Sequence, residues 1–264
     1  MRVQPAATDT FSALKRKDGN TIAYHQLPPH PDKASLPGVI FFGGFHSDMT
    51  GTKATFLQRY CHEHGLGFVR FDYFGHGLSS GAFTDGTIGR WKEDALEIID
   101  RLTTSPQILI GSSMGAWIML LACVARPHRV ASLIGLASAP DFTEDLIWNA
   151  FTPAEKEKMM AEGRFSLPAE HCTGEYIITR QLIEEAREHL LLRGPIPVTC
   201  PVRLLHGMKD QDVPWQTSEK LLTCLPGARA SLRLVHRGDH RLSTEEDLAV
   251  LAETLEEALR NRQG

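Results

Sequence analysis

The sequence predicts an α/β fold: a mostly parallel, twisted sheet with helices on both faces and a helical lid inserted after the sixth strand. Three observations predict it. From Val39 onward, strand-like and helix-like runs alternate; such alternation implies parallel strands joined by right-handed crossovers, with loops at the strands' carboxyl ends facing one crevice. The stretch Gln107 to Ala125 (QILIGSSMGAWIMLLACVA) is a short apolar strand, a glycine-flanked turn and a helix apolar nearly all round, hence buried. Between Pro140 and Pro197 the alternation stops and helix-like runs take over. A chain of 264 residues holds this as one domain, 1–264, with the lid insertion over about 141–196.

Taken in order, Phe11 to Leu14 and Thr21 to Gln26 are short β-like runs, and the Asp18-Gly19 pair between them signals a hairpin, so the chain opens antiparallel. Val39 to Phe42 is a continuous apolar strand ending in Gly43-Gly44-Phe45-His46. Lys53 to His64 reads as a helix, Phe68 to Asp72 as a strand, Trp91 to Leu102 as a helix, and Val130 to Leu136 as the strand after the central turn. In the lid, Phe142 to Phe151, Pro153 to Gly163 and Tyr176 to Leu192 read as helical. Its apolar residues Trp148, Phe151, Met159, Met160 and Phe165 either cover the crevice as substrate contacts or pack the lid onto the body. Val202 to His206 and Ser231 to Val235 are the last strands, Thr217 to Leu225 a helix, and Glu245 to Arg260 the closing helix, with Ser243 and Glu246 spaced as a capping box.

Bulk composition excludes several classes. Hydrophobic residues at 42% and charged residues at 23% fit a soluble globular protein with no membrane span. A net charge of -4 disfavours a nucleic-acid partner, and the basic triplet Lys15-Arg16-Lys17 reads as a solvated face. Five cysteines, odd in number and without a C-x-x-C pair, point to a reducing compartment with neither a disulfide framework nor a zinc site. No carboxylate or His/Cys cluster has metal spacing, so no cofactor is expected. The N-terminus has no apolar segment of the secretory kind, and the expected location is cytoplasmic, or the mitochondrial matrix for a processed eukaryotic protein.

Gly111-Ser112-Ser113-Met114-Gly115 fits G-x-S-x-G, a strand-to-helix elbow that holds a serine in a strained conformation with its hydroxyl exposed. A serine nucleophile needs a base, and the base needs a carboxylate to fix its tautomer, in the chain order Ser, acid, His. His240 lies in a loop between the last strand and the closing helix; His236, its rival, continues the alternation of Leu232 and Leu234. Asp210, three residues past Gly207, is favoured as the acid, with Asp212 and Asp141 as alternatives. The backbone N–H groups of Met114 and of Phe45 are the expected oxyanion donors. Phe71 to Ser79 is glycine-rich, but it lacks the third glycine of a dinucleotide loop and follows the wrong strand.

The elbow, the Asp-x-x-Gly-His-Gly-x-Ser run from Asp72 to Ser79 and the His-Gly-x-x-Asp run ending at Asp210 resemble the α/β-hydrolase superfamily. Cys200-Pro-Val-Arg-Leu-Leu-His-Gly-Met-Lys-Asp210, Val213-Pro-Trp215 and Asp239-His-Arg241 are similar to a mitochondrial family within it. The resemblance implies an α/β-hydrolase fold and a cofactor-free serine hydrolase with Ser113, Asp210 and His240 as its triad. It further implies cleavage of carboxylic esters or thioesters through an acyl-enzyme, as an acyl-protein thioesterase removing palmitoyl groups or an acyl-glucuronide esterase. The substrate is then a small ester or thioester, or an acylated protein. The alternatives are a C–C bond hydrolase or aminopeptidase on the same triad, and a non-catalytic ligand-binding module.

Overall fold

In the computed structural model, residues 11–168 and 175–260 are described. The antiparallel opening consists of β1 (Ser12–Lys15) and β2 (Thr21–Leu27). There follow β3 (Val39–Phe42), α1 (Thr52–Glu63), β4 (Phe68–Phe71), α2 (Ile88–Leu102), β5 (Gln107–Ser112), α3 (Met114–Ala125) and β6 (Val130–Leu136). After the insertion that follows β6, the segment expected as a lid and called so below, come β9 (Val202–Gly207), α6 (Gln216–Thr223), β10 (Ala230–Val235) and α7 (Glu245–Arg260). The sheet order is β1-β2-β4-β3-β5-β6-β9-β10. From β4 onward every pairing is parallel, and β2 joins β4 antiparallel.

Period-two alternation explains how both faces are covered. On β3, Val39 and Phe41 enter one core with Leu57 of α1 and Leu251 and Leu255 of α7. Ile40 and Phe42 enter the other, with Trp91 of α2, Trp117 of α3 and Leu221 of α6. α3 runs between sheet and lid, and Met114 to Cys123 are all buried, as its unbroken apolar sequence requires. No helix among the described residues is long and apolar enough to cross a membrane.

Several expectations need correction. The lid is not all helical: after turns at 143–150 and α4 (Pro153–Glu162), β7 (Arg164–Pro168) pairs antiparallel with β8 (Glu175–Thr179), and the short α5 (Arg180–Ala186) follows. Tyr176-Ile-Ile-Thr179 is β-branched sequence running straight into a helix, and its strand partner is supplied from across the insertion. The last helix is capped one residue later than expected. The Thr244 backbone N–H donates to Asp247 Oδ2 (3.0 Å) and the Asp247 N–H donates to Thr244 Oγ1 (3.2 Å), whereas Ser243 Oγ turns back to the Arg241 carbonyl (2.8 Å). The basic triplet is not wholly solvated either. Arg16 reaches inward to the buried Asp94, which also accepts the Phe74 N–H (2.8 Å).

The Asp72–Ser79 run is a structural knot. Asp72 accepts N–H groups from Met49 (2.7 Å) and Leu78 (2.8 Å), and Ser79 Oγ donates to the Asp72 carbonyl (2.6 Å). Gly77, at φ +45°, lies so close under that carboxylate that a Cβ would stand 2.1 Å from Oδ2. The knot ties the end of β4 to the loop after β3, which borders the crevice.

Candidate active site

Ser113 stands at φ +55°, ψ -121°, the strained elbow expected between a strand and a helix. Both flanking glycines are sterically required. A Cβ at Gly111 would lie 2.6 Å from Ala116 Cα, and one at Gly115 would lie 2.2 Å from the Phe42 carbonyl oxygen. The Ser113 N–H donates to the Leu136 carbonyl (2.8 Å), which fixes the elbow to the end of β6.

Folding brings together three side chains from far apart in the chain. The Ser113 hydroxyl donates to His240 Nε2 (3.1 Å), and His240 Nδ1–H donates to Asp210 Oδ2 (2.8 Å). Asp210 is fully buried at its side chain. Burial raises its pKa, but hydrogen bonds from His206 and His240, the His240 charge and the Val213 N–H outweigh that and hold the carboxyl well below its ordinary range. Oδ1 accepts the N–H groups of Asp212 (3.0 Å) and Val213 (2.8 Å), so the carboxylate has one orientation.

The loops bearing acid and base are held together by Gly207. A Cβ there would lie 2.3 Å from the Gly238 carbonyl oxygen, and the closeness lets Lys209 N–H donate to Gly238 O (2.9 Å) and Met208 N–H to Val235 O (2.9 Å). The glycine of His-Gly-x-x-Asp is therefore a packing requirement of the site. Two of the alternatives are engaged or placed elsewhere, while Asp212 stays beside Asp210 and His240. His236 is exposed beyond the end of β10, and Asp141 accepts the N–H groups of Leu191 (2.7 Å) and Leu192 (2.8 Å), closing the two roots of the lid on each other.

His206 opens the His-Gly-x-x-Asp run, but the motif gave its side chain no role. It is fully buried, takes the Ser218 hydroxyl on Nδ1 (2.7 Å) and donates from Nε2 to Asp210 Oδ2 (3.1 Å) and the Val213 carbonyl (3.0 Å). Two histidines thus converge on one carboxylate oxygen. The available sequence signal was a histidine at a buried strand end, four residues before the acid.

Across the crevice, the loop after β3 passes beside the elbow: a side chain at Gly44 would stand 3.3 Å from Ser112 O and 3.4 Å from Ser113 Cβ. Phe45 anchors that loop through edge-on ring contacts with Phe83 (4.9 Å), Phe142 (5.5 Å), Trp91 (6.0 Å) and Tyr176 (6.1 Å). His46, at φ +58°, lies against Phe83 at 3.6 Å, and burial lowers its pKa. The Met114 N–H belongs to the first turn of α3, where backbone donors have no partner within the helix.

A cavity of about 750 Å³ opens over Ser113 and His240. Its apolar lining includes Phe142, Leu146, Ile147, Leu167, Tyr176 and Ile178, and its polar lining includes Asp48, Thr52, Lys53, Arg241 and Ser243. Lys53 donates to the Arg241 carbonyl and to Ser243 Oγ (3.4 Å), and burial pushes its pKa down to about 8 against the attraction of Asp239. The expected lid contacts Trp148, Phe151, Met159 and Phe165 do not line this cavity. They build the lid's own small core with Ile178 and Ile183, because α4 and the hairpin must bury their apolar faces on each other. The crevice wall instead comes from the hairpin's other contacts and from the lid's first turns. Among the described residues, one group could share a cation, Asp210, Asp212 and His240; the Asp210 oxygens there already accept hydrogen bonds from two imidazoles and two backbone N–H groups.

The family model described as serine aminopeptidase, S33, matches residues 36–166. Palmitoyl-protein thioesterase ABHD10, mitochondrial, of Rattus norvegicus is 41% identical over 251 residues, covering 95% of this chain and 82% of that protein. The Homo sapiens protein of the same name is 40% identical over 251 residues, covering 95% and 80%. Among solved structures, alpha/beta hydrolase domain-containing protein 10 from mouse superposes with a TM-score of 0.88 at 38% identity, over 96% of this chain and 100% of that one. A hydrolase from Agrobacterium vitis gives 0.90 at 38% identity, over 95% and 99%. The resemblance read from the elbow and the His-Gly-x-x-Asp run holds along nearly the whole chain, and this protein belongs to the ABHD10 family of the α/β-hydrolase superfamily.

Proposed function

We propose that this protein is a serine thioesterase that removes long acyl chains, palmitoyl among them, from a thiol carrier. The single observation that carries the reading is the unbroken line Ser113 Oγ, His240, Asp210, whose first two members line a partly apolar cavity. Ser113 attacks the thioester carbonyl while His240 Nε2 takes its proton. Asp210 holds the imidazole in the correct tautomer and stabilises the cation that forms. The N–H groups of Phe45 and Met114 receive the oxyanion, a contribution of about 10²- to 10³-fold in rate for each donor of this kind. His240 then protonates the leaving thiol, and water activated by the same imidazole releases the fatty acid from Ser113.

Cavity polarity supports the assignment of substrate ends. The acyl chain lies along Leu146, Ile147, Leu167 and Ile178, and the thiol carrier lies toward Thr52, Lys53 and Arg241, where a peptide or another polar group stays solvated. The relatives are named as thioesterases and as mitochondrial, which supports the same chemistry and location here. Cys61, Cys123, Cys200 and Cys224 are free thiols, and such thiols persist in a reducing compartment, cytosol or matrix.

The test is kcat/KM over S-acyl peptides of rising chain length, oxygen esters, acyl glucuronides, vinylogous diketones and prolyl amides. The expected order puts long-chain thioesters first. Leu167→Ala should lower kcat/KM for long chains by about tenfold, the order of one buried aliphatic side chain, and leave acetyl thioesters nearly unchanged. Preference for amides or diketones would move the assignment to a peptidase or a C–C hydrolase, and no turnover of any class would leave a binding module.

A further inference from the structure

Cys123 and Cys200 are 77 residues apart in the chain, yet their sulfurs stand 3.9 Å apart. Cys123, 3% exposed, lies near the C-terminal end of α3, the helix that begins at the nucleophile elbow. Cys200 is half-buried in the segment that leaves the lid and enters β9. The stretch between them contains β6 and the whole lid, so the pair sits where the lid's C-terminal root meets the nucleophile helix.

We propose that Cys123 and Cys200 are a modification site, a dithiol that hydrogen peroxide converts to a disulfide at the base of the lid. A disulfide requires an S–S distance near 2.05 Å. The sulfurs must therefore close by about 2 Å, which a change of side-chain rotamer at Cys200, in an irregular segment, supplies. The two thiols also differ in access. Either can donate across the S–H···S contact, but Cys123 is 3% exposed and Cys200 is only half-buried. Cys200 is thus the sulfur that reacts first, and its partial exposure admits a small oxidant.

In the first step the Cys200 thiolate attacks one peroxide oxygen. The O–O bond breaks, the leaving hydroxide takes a proton to become water, and the sulfur is oxidised to a sulfenic acid. Cys123 then loses its proton and attacks the Cys200 sulfur, the S–O bond breaks, and a second water leaves. Two thiols and one peroxide give one disulfide and two waters. Cys61 makes a contrast: it is fully buried, and burial alone pushes its pKa up to about 12, so it stays a thiol.

The experiment treats the full-length chain with hydrogen peroxide, blocks remaining thiols, and maps tryptic peptides by mass spectrometry with and without dithiothreitol. The expected product is two hydrogens lighter and carries a reducible Cys123–Cys200 cross-link. Cys200→Ser and Cys123→Ser should each abolish the link, and Cys123→Ser should leave a sulfenic acid on Cys200 that dimedone captures. Cys200→Ser, at the more exposed position, keeps the test valid should Cys123→Ser disturb the core. Cross-linking of Cys200 to Cys224 or Cys172, oxidation of Cys200 with Cys123 left as a thiol in the unmodified sequence, or an unchanged mass would overturn the proposal. The readout is covalent mass, so it stands or falls separately from the thioesterase reading.

Discussion

Asp210 is the residue on which the site's geometry converges, with two imidazoles on one oxygen and two backbone N–H groups on the other. An amide in its place presents an N–H where His240 needs an acceptor, so Asp210→Asn should leave the fold intact by circular dichroism and lower kcat by about 10⁴. His76 gives a prediction at the same scale. It is 3% exposed, donates from Nδ1 to the Phe74 carbonyl (3.2 Å), and burial pushes its pKa down to about 4. The unfolded chain binds that proton from pH 6.5 downward and the native state resists it. Stability is therefore present in full above about pH 6.5 and is lost as pH falls from there toward 4, by about 3 kcal/mol from this residue. Urea midpoints across pH 4 to 7 check this, and His76→Gln should flatten the slope; an equal slope in both proteins would contradict it. The meeting of Ser113, Asp210 and His240 was legible in the sequence because a serine, an acid and a histidine are expected in that chain order at strand ends. His206 was not, because a histidine in an apolar strand reveals its partner only when α6 and the acid loop fold around it.

At the scale of elements, glycine positions and caps decide where each piece begins. Gly115 lets α3 start directly against the end of β3, and Gly207 lets the acid loop touch the base loop, so both motif glycines have a contact that explains them. The capping residue of α7 is Thr244, whose hydroxyl oxygen accepts from the Asp247 N–H. Thr244→Ala should destabilise the protein by about 1 kcal/mol, and Ser243→Ala, outside the cap, by much less. Thermal denaturation of the two variants separates them, and a larger loss in Ser243→Ala would return the cap to the earlier residue. Sequence spacing could not choose between the two, because Ser243-x-x-Glu246 and Thr244-x-x-Asp247 offer the same pattern one residue apart. The lid hairpin was hidden for a different reason. Its second strand, Glu175–Thr179, runs without a break into α5, and its partner strand lies seven residues before it across residues 169–174. Once the hairpin is in place, Phe165 and Met159 pack in the lid core, Tyr176 reaches the cavity, and Leu167 and Ile178 touch both, an arrangement that composition alone does not contain.

At the scale of the whole molecule, the parallel sheet was readable because inner strands such as Val39–Phe42 are continuous apolar runs buried on both faces; Phe68–Phe71 is buried throughout as well, although Arg70 interrupts its apolar sequence. Burial of that kind leaves a strong local imprint. Contacts between distant segments leave none: the Arg16 pair with Asp94 joins the first hairpin to α2, and the Asp141 carboxylate ties the start of the lid to its end. The sheet places β5, β6, β9 and β10 side by side with their carboxyl ends together, and the loops after β5, β9 and β10 deliver hydroxyl, acid and imidazole to one point. The proposed reaction forms a covalent acyl-enzyme at this point. Rapid-quench mass spectrometry of the enzyme mixed with an S-palmitoyl peptide detects it. A palmitoyl ester on Ser113 during turnover is the predicted result, with no adduct and a kcat lower by on the order of 10⁶ in Ser113→Ala. An acyl group on another residue, or undiminished turnover in Ser113→Ala, would contradict it.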